Sequence, residues 1–287
     1  MKSIPIRHIK SPPREPNLSE DFSIRDIGDM LAGKDMTQEL HRHDFFLIMV
    51  LKRGGGNHEI DFNSYKICDD SIFFMRPGQV HQLNLKEGST GYLMQFNRNF
   101  YRPSEKAAGQ LLRRASNKSH CQLDSISGKR ILAIMTSIFR EYRDRQEGFQ
   151  EVLKANLSIF FIELIRNRQN SKSPTNNANS YQLERLEELL ELLETHIPTH
   201  KHVPQYADML NLSSYQLNAI IMATLGKSCS ELINEFIILE SKRSLLATSN
   251  QVNQIAYHLG YEDVSYFIRF FKKHTGQSPE AFRINHR

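Results

Sequence analysis

"HLGYEDVSYFIRFFKKHTGQSPEAF", from His258 to Phe282, reads as two helices meeting at a tight turn. Ile255, Ala256 and Leu259 give the incoming helix one apolar face, and Ala256 is small where two helices cross closely. Gly260 supplies a residue able to adopt positive φ, and Asp263 is placed to cap the helix that follows. That helix is expected over Val264–Thr275, with Phe267, Phe270, Phe271 and His274 on one stripe and Gly276 as terminator. Ser278 and Pro279 then open another helix, one as cap and the other at the first helical position. The rings anchor the segment; Ser265, Ile268, Arg269 and Lys272 lie on the opposite face.

The same design occurs upstream. Leu217, Ile221 and Gly226 precede Phe267, Phe271 and Gly276 by fifty positions each, and Ala207 with Asn211 matches Ala256 with Gly260 one residue out of step. A polar face on one helical hairpin is ordinary. Two copies joined by a helix expected over about 232–248 are a different matter: held about 34 Å apart, their second helices reach successive major grooves on one side of a duplex.

The rest of the chain has other textures. "NSKSPTNNANS" (170–180) is polar without a large apolar group and reads as a linker over 171–180. Between about residues 22 and 97, short apolar runs alternate with turn signals: "HDFFLIMVL", Gly54-Gly55-Gly56, "HEIDF", Asn63-Ser64, "SIFFM", Pro77-Gly78 and "GYLMQF". They suggest a small β-barrel or sandwich. Over 127–170 the periodicity turns helical, through Ile131, Ile134, Met135, Ile138 and Phe139, then Leu153, Leu157, Phe160, Phe161 and Leu164. These helices either close the open end of the barrel or form the seam of a homodimer, in which case changing Leu157 to Glu would split it.

Charge gives limited guidance. The 287 residues carry a formal net charge of +5, yet 98–170 hold 14 Lys+Arg against 7 Asp+Glu, whereas 181–287 hold 10 against 12. Any basic patch near the C-terminus is therefore local, since "LERLEELLELLE" (183–194) alone supplies five acids. That acid-rich helix is the one encouragement for reading the chain as an interaction module without DNA. No apolar run approaches the roughly 20 residues that cross a bilayer. Lys2, Arg7 and Lys10 precede no apolar segment, so a cytoplasmic protein without a secretory signal is expected. Cys68, Cys121 and Cys229 are far apart and lack metal-type spacing.

"ADMLNLSSYQLNAIIMATLG" (207–226) followed by "NQIAYHLGYEDVSYFIRFFKKHTGQSPEAF" (253–282) closely resembles the DNA-binding domain of the AraC/XylS family of bacterial transcription regulators. The resemblance is specific over 181–287 and weaker over a cupin-like N-terminal domain. It implies an α+β chain of two domains: a sensing domain over 1–170, with dimerisation helices at about 127–170, and a DNA-binding domain over 181–287. It implies that Ser214, Tyr215, Gln216, Asn218, Ala219 and Met222 face double-stranded DNA from the first unit. From the second, Asp263, Val264, Ser265, Ile268, Arg269 and Lys272 do so, with Lys273, Ser278 and Arg283 on phosphates. The first face departs from its relatives in lacking any Arg or Lys, so Gln216, Asn218 and apolar contacts would carry base readout there.

For the N-terminal domain, the resemblance implies a pocket for a small polar effector such as a sugar. His41, His43 and His81 line it, with Phe45, Tyr92 and Gln95 as further candidates. RNA polymerase is a further partner if the protein activates transcription. Metal-binding cupins add a glutamate shortly after paired histidines; Leu47 and Ile48 stand there instead, so no metal or other cofactor is expected. The competing reading is a metal-dependent cupin enzyme, an isomerase or oxygenase with an accessory helical domain.

Overall fold

The computed structural model describes residues 6–9, 21–101, 106–170 and 178–286. The chain falls into two compact units, 5–173 and 174–287. In the first, strands β1 (Ile6–Arg7) and β2 (Phe22–Asp26) are followed by one helical segment, α1 (Ile27–Leu31). Seven strands come next: β3 (Met36–His43), β4 (Phe46–Arg53), β5 (Gly56–Ile60), β6 (Asn63–Ile67), β7 (Ser71–Met75), β8 (Val80–Leu85) and β9 (Thr90–Phe96). Helix α2 (Lys106–Ser116), strand β10 (His120–Gln122) and helices α3 (Ser125–Asp144) and α4 (Phe149–Asn170) complete the unit.

The expected barrel is not closed. The described strands form two five-stranded sheets, ordered β1-β3-β8-β5-β6 and β10-β7-β4-β9-β2. Strand β4 explains why "FFLIMVL" shows no alternation, because both faces of its sheet are covered. Leu47, Met49 and Leu51 join an inner core with Ile60, Phe73, Leu83 and Leu93. Phe46, Ile48 and Val50 join a second core with Met94, Ile131, Met135, Leu157, Phe160 and Phe161.

Helices α3 and α4 therefore cover the outer face of one sheet, where the sequence had left the choice between a barrel end and a dimer seam. Leu157 is wholly buried in the chain's own core, so it is not a seam residue. Asp124 caps α3, accepting from the Ile126 and Ser127 amides. The turn expected at Asn63-Ser64 lies two residues earlier, at Asp61 and Phe62, both at positive φ, and Asn63 already begins β6.

The second unit is helical: α5 (Ala178–His196), α6 (Val203–Met209), α7 (Ser214–Leu225), α8 (Cys229–Ala247), α9 (Val252–His258), α10 (Val264–Thr275) and α11 (Pro279–Asn285). The last three residues of the expected linker, 178–180, belong to α5, and 171–177 lie outside the described residues. The acid-rich helix is amphipathic in the ordinary way, with Leu186, Leu189 and Leu193 buried and the element packed on α7.

Pairs α6–α7 and α9–α10 repeat one plan. Their turns place Asn211 at φ 55 and Gly260 at φ 73, and their second helices end on Gly226 and Gly276 at φ 69 and 80. Phe267 and Phe271 are fully buried, as their spacing requires. Phe270 is only half-buried, against Tyr261 and His274, and His274 is exposed, so the apolar stripe is narrower than expected.

Candidate DNA interface and effector pocket

Helix α7 starts at Ser213, whose hydroxyl accepts from the Gln216 amide while Gln216 Oε1 accepts from the Ser213 amide. This capping box directs the first turn outward, so Ser214, Tyr215, Gln216, Ala219 and Met222 are exposed, Tyr215 to 84% and Met222 to 48%. Asn218 differs from the expectation. Its Oδ1 accepts from the Cys229 amide at 3.0 Å, tying α7 to the start of α8, so that oxygen is already engaged within the unit.

In α10, Ser265, Arg269 and Lys272 are exposed, while Val264 and Ile268 are half-buried. Asp263 acts first as a cap: Oδ1 accepts from the Ser265 and Tyr266 amides, and Oδ2 stands 3.7 Å from Arg269. Tyr266 is also exposed on the same first turn, although Phe267 and Phe271 beside it point inward.

The expected phosphate contacts divide. Lys273 is exposed, and Ser278 is half-buried and caps α11 by accepting from the Ala281 amide. Arg283 is a correction. It is only 5% exposed; Nε donates to the Leu245 carbonyl at 2.9 Å and Nη2 to that of Asn250 at 2.6 Å. A guanidinium spent on two backbone acceptors inside the unit fastens α11 to the end of α8.

The first unit contains a cavity of about 450 Å³ whose lining includes His43, Phe45, His81 and Gln95, four of the residues named from the sequence, together with Gln38, His58, Arg7 and Arg25. Leu47, Met49, Leu83 and Leu93 supply apolar wall. Arg7 reaches it from β1, donating to Gln38 Oε1 at 3.0 Å.

Tyr92 points away, its hydroxyl 3.1 Å from Thr136 Oγ1 and its ring against Phe139 on α3. Side chains alternate along a strand, so residues three apart, Tyr92 and Gln95, cannot both face the cavity of a regular β9. Strand parity alone would have removed one of them.

Three neighbouring strands gather the histidines. On β3, His41 and His43 share a face; β8 sets His81 opposite His41 in register; and β5 contributes His58, a lone histidine with no local sequence signal. His43 Nε2 lies 2.8 Å from His81 Nε2, and His58 Nε2 lies 2.8 Å from His81 Nδ1. His41 does not line the cavity but packs on the His81 ring at 4.1 Å, and its Nδ1 donates to the Glu39 carbonyl at 2.7 Å.

Burial, above all, pushes His41 down to about 4 and His43 and His58 to about 3, and lowers His81 strongly as well. The four rings are neutral at ordinary pH. They offer hydrogen bonds and lone pairs, not positive charge.

Comparison with known proteins follows the same division. Residues 31–193 match the family described as an AraC-like ligand binding domain, and residues 206–285 match a helix-turn-helix domain. The chain is 25% identical over 258 residues to the HTH-type transcriptional activator RhaS of Pectobacterium atrosepticum, covering 85% of this chain and 86% of that protein. Among solved structures it is similar to ToxT of Vibrio cholerae O395, at 16% identity and a TM-score of 0.44, over 93% of this chain and 99% of the other. It is also similar to the C-terminal domain of AraT, a response regulator from Geobacillus stearothermophilus, at 26% identity and a TM-score of 0.33, over 35% of this chain and 84% of that one.

Proposed function

The chain belongs to the AraC family of DNA-binding transcription regulators, and from that premise we propose that a small polar metabolite in the N-terminal pocket controls how its two helix-turn-helix units engage an operator. The protein is a non-enzymatic regulator; the cupin-enzyme reading finds no support in relatives that regulate transcription. The observation that carries the proposal is the duplicated helical pair, each copy exposing the outer face of its second helix. Helix α8, at 19 residues, is about 28 Å long, which suits two units reading grooves about 34 Å apart.

The two faces divide the work unevenly. Arg269 and Lys272 bring charge to the second groove, and Arg269 suits a guanine edge; Lys273 suits a phosphate. The first groove meets Gln216, Ala219, Met222 and Tyr215, which favour adenine edges and thymine methyls. In the sensing unit, Gln38, Gln95, Arg7 and the histidines offer hydrogen bonds to hydroxyl or carboxylate oxygens, and apolar walls exclude water. An effector that prefers one arrangement of the chain shifts the population toward it by its difference in affinity. The working form is a cytoplasmic homodimer, with RNA polymerase as a further partner where transcription is activated.

Footprinting on DNA upstream of its own and neighbouring genes tests this, with and without a metabolite panel. Two protected segments about one helical turn apart are expected, altered by one metabolite class. Arg269→Ala should relax discrimination at one base pair by about 1–3 kcal/mol, and Lys273→Ala should lower the salt dependence by about one phosphate contact while sparing specificity. No protected segment under any condition would overturn the reading.

A further inference from the structure

The histidine cluster has the makings of more than a pocket wall. Although no carboxylate follows the paired histidines, we propose that His41, His43 and His81 together bind one divalent transition-metal ion at the edge of the cavity. One ring nitrogen from each of the three lies within 4.8 Å of the others, and all three residues are buried. An ion bonded to imidazoles at about 2.0–2.1 Å brings such nitrogens roughly 3–4 Å apart, so small side-chain rotations complete the site.

The hydrogen bonds around the cluster favour the ligating tautomer. The Glu39 carbonyl can only accept, so His41 carries its proton on Nδ1 and its Nε2 is a bare lone pair. That Nε2 has no hydrogen-bond partner among the described residues. His58 suits the same state of His81: with the His81 proton on Nδ1 and donated to His58 Nε2, His81 Nε2 is bare and accepts from His43 Nε2, and an ion that replaces this bond sends the His43 proton to its unpartnered Nδ1. A backbone carbonyl behind a ligand is an outer partner of the kind that orients metal-binding histidines, and His58 stands in the corresponding place behind His81.

Donor chemistry sets the class of ion. Three imidazoles with no carboxylate or thiolate suit zinc, nickel or copper over magnesium, calcium or manganese. Because His43 and His81 line the cavity, the ion borders it and can take an oxygen of a bound metabolite. The site stands apart from the DNA-binding reading and can be tested without DNA.

The test uses the full, untagged chain, stripped with a chelator and titrated with zinc chloride alone by calorimetry, with elemental analysis of the product. One ion per chain is expected, and cobalt(II) in its place should give visible d–d bands of a nitrogen-ligated, low-symmetry site. His41→Gln and His81→Gln should each weaken zinc binding at least about 100-fold. His58→Leu should weaken it about 10–100-fold, and His58→Gln, which restores an acceptor for His81, less than tenfold. His196→Ala with His200→Ala, in the helical unit, should change nothing. Substoichiometric zinc and no cobalt bands in the unaltered protein overturn the proposal. So does zinc affinity unchanged in His41→Gln and His81→Gln proteins that retain the wild-type unfolding transition, or affinity lost with His196 and His200.

Discussion

Arg283 Nε donates to the carbonyl of Leu245 across 38 residues of sequence, inside the helical unit. The last helix is thereby joined to the end of α8, whose final carbonyls have no intrahelical partner. Arg283→Ala should destabilise this unit by about 2–3 kcal/mol, because the buried Leu245 carbonyl and the partly buried Asn250 carbonyl lose charge-assisted donors. Arg283→Lys should recover little, since one ammonium cannot match the planar fork. Urea unfolding measures the loss. The salt dependence of DNA binding should stay unchanged, in contrast to Lys273→Ala, and a reduced slope in folded Arg283→Ala protein would return the residue to the phosphate backbone.

Gly260 tests the turn of the second unit. It sits at φ 73, and a Cβ added there would stand 1.8 Å from the Pro198 carbonyl oxygen. Gly260→Ala should cost more than about 2 kcal/mol, combining left-handed strain with a backbone clash. Asn211, at φ 55 in the matching turn, should tolerate glycine with a change of only a few tenths of a kcal/mol either way. Equal sensitivity of the two sites in denaturant midpoints would contradict the close approach at Gly260.

These two residues also show where sequence is legible. Gly260, Asp263, Gly276 and Ser278 signal through local backbone chemistry, so α10 begins and ends where its sequence predicts. Arg283 signals nothing local: a cation after a buried phenylalanine reads as a surface charge until Leu245 and Asn250 are brought beside it. The sensing unit fails in the same way. Its paired histidines are visible at once, but His58 joins them only because β5 lies beside β8, and β4 carries no parity signal because both its faces are buried.

The outer face of α4 offers a test of self-association. Leu157 is wholly buried, whereas Val152 and Ile159, seven residues apart on one side of the helix, are 41% and 50% exposed. Leu157→Ala should cost about 2–5 kcal/mol by leaving a cavity between α4 and the sheet. Ile159→Glu should leave the unfolding midpoint nearly unchanged and convert a dimer to monomer in sedimentation velocity. A dimer that survives Ile159→Glu and Val152→Glu together would place the seam elsewhere.

The neutral histidines set the acid limit of the sensing unit. His41 is held at about 4 and His43 and His58 at about 3, below the ordinary value of 6.5, so the folded state binds fewer protons than the unfolded chain between those limits. Their contribution is fully present above about pH 6.5 and is lost as the pH falls toward 3–4. Each group removes stability at up to about 1.4 kcal/mol per pH unit in that window. The Glu39 carbonyl, which favours the charged ring of His41, makes its share smaller than that of His43. Thermal unfolding from pH 8 to 5 should show a falling midpoint for the sensing unit, with a shallower fall in His58→Phe, where one proton-uptake site is gone. A midpoint independent of pH from 7 to 5 would mean that the rings are already protonated, or already open to water, in the folded chain.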